Sequence, residues 1–159
     1  MNTRNRPTWD ETFMSIAKVV AKRSTCLRRN VGAVITKDNK LLTTGYNGAP
    51  VGLAHCTDEL SCIRMEMAVP SGQRHEVCRA VHAEANAVIQ AALHGVTTQG
   101  ATIYVTDSPC SICARMIINA GIQRVVFDGE YPDEMTRGLL QEAGIRYEKY
   151  KGSKNKLWE

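Results

Sequence analysis

Apolar residues along this chain recur with two periods, and the switches between them mark out the elements. Trp9, Phe13, Ile16 and Val20 are spaced by four, three and four, one face of a helix expected from Trp9 to Lys22. Thr8 and Glu11 have the spacing of a capping box at its start. Two strand-like runs follow, Val31 to Lys37 and Lys40 to Gly48, and the tight-turn pair Asp38-Asn39 between them predicts a hairpin. Val81, Ala85, Val88, Ile89, Ala92 and Leu93 line one face of a second long helix, ended by Gly95. Ala101 to Thr106 has the β-branched content of a buried strand. Ser108-Pro109 reads as the N-cap and first position of a helix running to Ala120. Gln123 to Gly129 is a fourth strand, Pro132 to Gly144 a fourth helix and Ile145 to Tyr150 a fifth strand.

The order α-β-β-α-β-α-β-α-β implies crossover connections and a largely parallel second half. The expected fold class is α/β, a three-layer α/β/α sandwich around a five-stranded mixed sheet, in a single domain over residues 1–150. Residues 49–78 break the pattern. Pro50, Gly52, Pro70, Ser71 and Gly72 punctuate an irregular insertion that carries three cysteines and two histidines. A loop of that length in a small domain is functional or held by something other than a core. Residues 151–159 are expected to be a flexible tail.

Composition narrows the class. Of 159 residues, 43% are hydrophobic and 23% charged, the balance of a soluble globular protein. The net charge of +4 arises at the end of the chain. Without the last eleven residues there are 16 basic and 15 acidic side chains, so the body carries no excess that would suggest nucleic-acid binding. No apolar run is long enough for a membrane span, and MNTRNRPTWDET has no apolar signal segment, so the expected compartment is the cytoplasm. In such a chain six cysteines point to metal binding or catalysis rather than to disulfides.

Two segments hold the chemistry, His82-Ala83-Glu84 and Pro109-Cys110-Ser111-Ile112-Cys113. Each sits at the start of a predicted helix, and Cys110 and Cys113 share a face of the first turn. One imidazole and two thiolates suit zinc, and three protein ligands leave a fourth tetrahedral position open, as in catalytic zinc sites. A helix N-terminus also favours the thiolate form of the two cysteines. Glu84, two residues after His82, can reach a zinc-activated water and move its proton without being a ligand.

H-x-E followed by P-C-x-x-C resembles the signature of the zinc-dependent nucleobase deaminases. The element order, with the two motifs opening the second and third helices, is similar to the cytidine deaminase-like fold over about Trp9 to Tyr150. Ser24-Thr25-Cys26-Leu27-Arg28-Arg29, Gly45-Tyr46-Asn47-Gly48, His82 to Asn86 and the cysteine-bearing insertion look like the deoxycytidylate (dCMP) deaminase branch of the cytidine/deoxycytidylate deaminase family. The resemblance implies hydrolysis of dCMP to dUMP and ammonia, supplying dUMP for thymidylate synthesis. Glu84 would carry the water proton to N3 of the cytosine, with attack at C4. Arg28, with Arg29 as substitute, maps onto a basic residue near the substrate phosphate. Asn47 maps onto a contact to sugar or base, Tyr131 onto the wall of the same pocket, and the Ala83 backbone onto the base pocket.

The resemblance also implies a second, structural zinc fixing the insertion. Cys26, Cys56 and Cys78 match that pattern, with His75 preferred to Cys62 as fourth ligand. It further implies a homo-oligomer, commonly a hexamer, activated by dCTP and inhibited by dTTP, with Mg2+ accompanying a nucleotide effector. Neither nucleic acid nor membrane is expected as a partner. The rival readings are a transfer-RNA adenosine deaminase and a non-catalytic zinc-binding protein.

Overall fold

Thr8 opens the first helix in the expected way. Its hydroxyl accepts the Glu11 N–H at 3.2 Å and the Glu11 carboxylate accepts the Thr8 N–H at 2.8 Å, capping α1 (Trp9–Ala21). The hairpin of β1 (Gly32–Lys37) and β2 (Lys40–Tyr46) turns at Asp38 and Asn39, with φ of 51° and 58°. That left-handed pair matches the twist of the flanking strands. There follow α2 (Cys56–Glu59), α3 (Ile63–Glu66), α4 (Ala83–Leu93), β3 (Thr102–Val105), α5 (Ser111–Asn119), β4 (Arg124–Phe127), α6 (Glu134–Glu142) and β5 (Arg146–Lys149). The computed structural model describes residues 6–152; residues 153–159 of the expected tail lie outside them. No helix among the described residues is long and apolar enough to cross a membrane.

The sheet has the order β2-β1-β3-β4-β5. β1 is antiparallel to β2 and β3, whereas β3, β4 and β5 run parallel, giving the expected mixed sheet. Side chains alternate between its faces. Ile35, Ile103, Val105, Val125 and Phe127 pack beneath α4, α5 and α6, while Val34, Tyr104 and Val126 pack on Phe13, Met14 and Ala17 of α1. This is the three-layer α/β/α sandwich that the element order predicts.

Three local expectations are corrected. The buried face of α4 is Ala83, Glu84, Ala85, Ala87 and Ala91, while Ile89 and Leu93 lie 49% and 72% exposed. The reason is the distance to β2. A Cβ on Gly45 would strike the backbone of Ala83 and Ala87, so only small residues fit between helix and strand. Second, α5 begins at Ser111 with Cys110 as the capping position, not at Ser108-Pro109. The Ser108 hydroxyl is drawn across to the Glu130 carbonyl instead. Third, the insertion contains the two short helices α2 and α3, too brief to show a period. Its ends are fastened where Gly48 and Val81 exchange N–H···O bonds of 3.2 and 2.8 Å.

Candidate active site

His82 and Cys110 occupy equivalent positions, each the last extended residue before a helix (ψ 154° and 170°). Cys113 lies in the first turn of α5 and is buried. The sheet and its helices bring the three together. Cys110 Sγ and Cys113 Sγ stand 3.5 and 3.4 Å from His82 Nδ1, and all three ligand atoms lie within 4.8 Å of one another. Nitrogen and sulfur ligands of a tetrahedral zinc, at bond lengths of about 2.0 and 2.3 Å, are about 3.5 Å apart. The donor set and its spacing therefore fit zinc. Among the described residues, no other group of three His, Cys, Asp or Glu side chains converges this closely.

The electrostatics of the cluster follow from its packing. A hydrogen bond from Cys113 and another from His82 pull the Cys110 thiol down to about 3, whereas that bond to Cys110 and burial hold Cys113 up. His82 is raised, chiefly by its bond to Cys110. Glu84 is only 4% exposed, and burial pushes its carboxyl up to about 7 against the opposing pull of His82. A carboxyl that titrates near neutrality and does not belong to the ligand cluster is suited to accept and return protons.

His82, Glu84 and Cys110 line one cleft of about 330 Å3, large enough for a small organic ligand. Ala83, Asn47, Arg28 and Tyr131 also line it. Asn47 is buried; its Oδ1 accepts the Val31 N–H and its Nδ2 donates to the Arg29 carbonyl, both at 2.9 Å. It thus pins the loop carrying the two arginines. Arg29 is already engaged, donating to Asp107 at 2.7 Å and to Ser71 at 2.9 Å. Arg28 Nη1 is buried without a partner. Tyr131 is 59% exposed at the cleft and meets Phe127 edge-on at 5.6 Å. Asn86 donates to the Tyr46 carbonyl at 2.8 Å, tying α4 to the end of β2.

Part of the expected second metal set is brought together. The Cys56 thiol is raised by burial and then by the Cys62, Cys26 and Cys78 thiols, so the four cysteines are electrostatic neighbours. His75 lines the same cleft as Cys26 and Cys78. Its ring packs edge-on against His82 with centroids 4.9 Å apart. One further lining residue, Arg64 of α3, escaped sequence reading. The available signal was an arginine two residues beyond Cys62, in a segment otherwise rich in apolar side chains.

Residues 7–128 match the family model for the cytidine and deoxycytidylate deaminase zinc-binding region. The deoxycytidylate deaminase of Mycobacterium phage D29 is 45% identical over 131 residues, covering 79% of this chain and 98% of the phage protein. That of Schizosaccharomyces pombe is 38% identical over 156 residues, 98% of this chain, so the chain spans about half (48%) of that relative's length. Among solved structures, the dCMP deaminase of cyanophage S-TIM5 in complex with dCMP and dUMP superposes with a TM-score of 0.73. It shares 28% identity and covers 91% of this chain and 98% of its own.

Proposed function

Since the chain belongs to the cytidine and deoxycytidylate deaminase family, we propose that it hydrolyses dCMP to dUMP and ammonia. The observation that carries this reading is the buried Glu84 carboxyl in the cleft lined by His82 and Cys110, two members of the His82–Cys110–Cys113 cluster. His82, Cys110 and Cys113 would hold zinc, which when bound supplies the Lewis acidity that makes water nucleophilic near neutral pH. Glu84 takes one proton from the attacking water and places it on N3 of the cytosine, so that C4 accepts the water oxygen. It then takes the proton of the new C4 hydroxyl and gives it to the amino group, so that C4=O forms, the C4–N bond breaks and ammonia leaves. Ala83, buried at the start of α4, walls the cleft beside Glu84. The test is a side-by-side assay of dCMP, cytidine and a transfer RNA, with zinc quantified. Turnover of dCMP alone is expected; turnover of the RNA, or of nothing, would overturn the reading.

The second zinc belongs to the same proposal, with Cys26, Cys56, His75 and Cys78 as its ligands and Cys62 as the alternative fourth. The mutual influence of the four thiols supports it, as does the shared cleft lined by Cys26, His75 and Cys78. Association into a homo-oligomer, up to a hexamer, is supported by the exposed apolar side chains Ile89 and Leu93 of α4 and Ile112 and Met116 of α5. Control by dCTP and dTTP, with Mg2+ on the effector, is proposed with it, in the cytoplasm, and rests on the family alone. Light scattering and dCMP saturation curves with each nucleotide test both.

A further inference from the structure

Among the described residues, four buried side-chain nitrogen or oxygen atoms have no hydrogen-bond partner: Arg28 Nη1, Arg64 Nε, His75 Nδ1 and Thr136 Oγ1. The first three belong to residues lining the catalytic cleft, and they come from three separate segments. Arg64 is the most enclosed. Its side chain is nine-tenths buried, and Nη2 is committed to the Gln73 carbonyl at 2.6 Å and the Pro70 carbonyl at 3.4 Å. Neither Arg28 nor Arg64 forms an ion pair with a carboxylate among the described residues. By contrast, the neighbouring Arg29 is neutralised by Asp107 at 2.7 Å.

A guanidinium taken out of water without a counter-charge is costly, and buried cations are retained where a partner completes them. Two such groups on one cleft define the sign of the missing ligand. The planar fork of arginine matches phosphate oxygens, to which it can present two parallel N–H donors. An imidazole nitrogen serves as donor or acceptor, so His75 is compatible with the same ligand without determining its charge.

We propose that Arg64 is a substrate-binding residue which, together with Arg28, grips the 5′-phosphate, so that the cysteine-bearing insertion selects nucleotide over nucleoside. This rests on the reading of the cleft as a dCMP site, because the phosphate is that substrate's only anionic group. It gives the insertion a task beyond fastening itself. Arg64 Nη2 holds the 70–73 turn, and the same side chain lines the cleft. Filling the site therefore tightens the turn as well.

The test uses the zinc-loaded full chain and compares dUMP with deoxyuridine in equilibrium binding, and dCMP with deoxycytidine in turnover. Arg64→Gln is expected to weaken dUMP binding by about tenfold or more, the scale of a lost charge-assisted hydrogen bond. Deoxyuridine affinity should stay within about twofold, and Arg64→Lys should recover part of the loss, because the charge alone accounts for part of such a contact. An equal loss for both ligands, or none for dUMP, overturns the proposal. Should Arg64→Gln fail to fold, hydrogen exchange on the wild-type chain decides. dUMP should slow exchange across residues 63–73 and deoxyuridine should not; equal protection overturns it. Failure of the deaminase reading looks different: the wild-type chain would turn over neither dCMP nor deoxycytidine, while the dUMP-to-deoxyuridine affinity ratio would still score Arg64.

Discussion

Asp10 and Arg124 meet through both arms of the guanidinium. Nη1 donates to Asp10 Oδ1 at 2.9 Å and Nη2 to Oδ2 at 2.7 Å, joining the first turn of α1 to β4. Nη2 also reaches Glu148 of β5 at 2.6 Å, and Tyr104 of β3 donates to Asp10 at 2.7 Å. One carboxylate thus links the outer helix to the sheet.

The Arg124 guanidinium holds the Asp10 carboxyl below its ordinary value of 3.8, against the opposing effect of burial. A group with a depressed folded-state pKa contributes stability above its unfolded value, and that contribution is lost as pH falls through the folded value. The loss should therefore begin below about pH 4. Asp10 is partly exposed, so screening limits the pair to about 1 kcal/mol. Asp10→Asn should lower Tm at pH 7 by about 2–4 °C, and the difference from wild type should shrink in acid. A constant difference between pH 7 and pH 3 would show that the charge is not what Asp10 contributes.

Glu84→Gln should reduce kcat by a factor of about 100 to 10,000, the range for general acid–base groups, with zinc content unchanged. His82→Ala should instead empty the site, since it removes one of three ligands. Metal analysis beside the kinetics separates the two; zinc loss in Glu84→Gln would make Glu84 a ligand.

If the insertion holds its own zinc, the wild-type chain should contain about two zinc ions. Cys78→Ser should lose about one of them and speed proteolysis within residues 49–78. His75→Asn should lose the same ion, and Cys62→Ser should keep both. A count that falls in Cys62→Ser and not in His75→Asn would make Cys62 the fourth ligand.

Gly45→Ala should destabilise the fold by about 1–3 kcal/mol, the usual cost of overpacking. The new Cβ would meet Ala83 O and Ala87 N, and α4 would have to lift from β2. A fall in Tm of about 3–10 °C is expected by thermal unfolding. An unchanged Tm would show that the close approach carries no strain.

The parts legible in sequence were those with local signals. The Thr8–Glu11 capping box, the Asp38-Asn39 turn, the His82–Glu84 pair and the Cys110–Cys113 pair each depend on residues a few positions apart. Errors arose where a distant residue decides. Gly45 makes alanine the buried face of α4, although Ile89 and Leu93 are more hydrophobic. Glu130 captures the Ser108 hydroxyl and removes the expected cap. Asn47 lines the cleft as expected, yet its amide is occupied by the Arg29 and Val31 backbone, pairings a sequence does not display. Arg64 was passed over because its value comes from burial and from an unpaired Nε, neither visible along the chain.

The contact between α4 and β2 has a thermodynamic consequence for the metal centre. It is made by Gly45 against the Ala83–Ala87 backbone, with the Thr43 hydroxyl donating to the Ala87 carbonyl at 2.9 Å. Glycine and alanine have no rotamers to freeze. The position of His82 is therefore set by main-chain separation and does not wait on side-chain order. Capturing an ion here need immobilise only three ligand side chains already at ligand spacing, so most of the ordering entropy of the site is spent when the sheet forms, before any metal arrives.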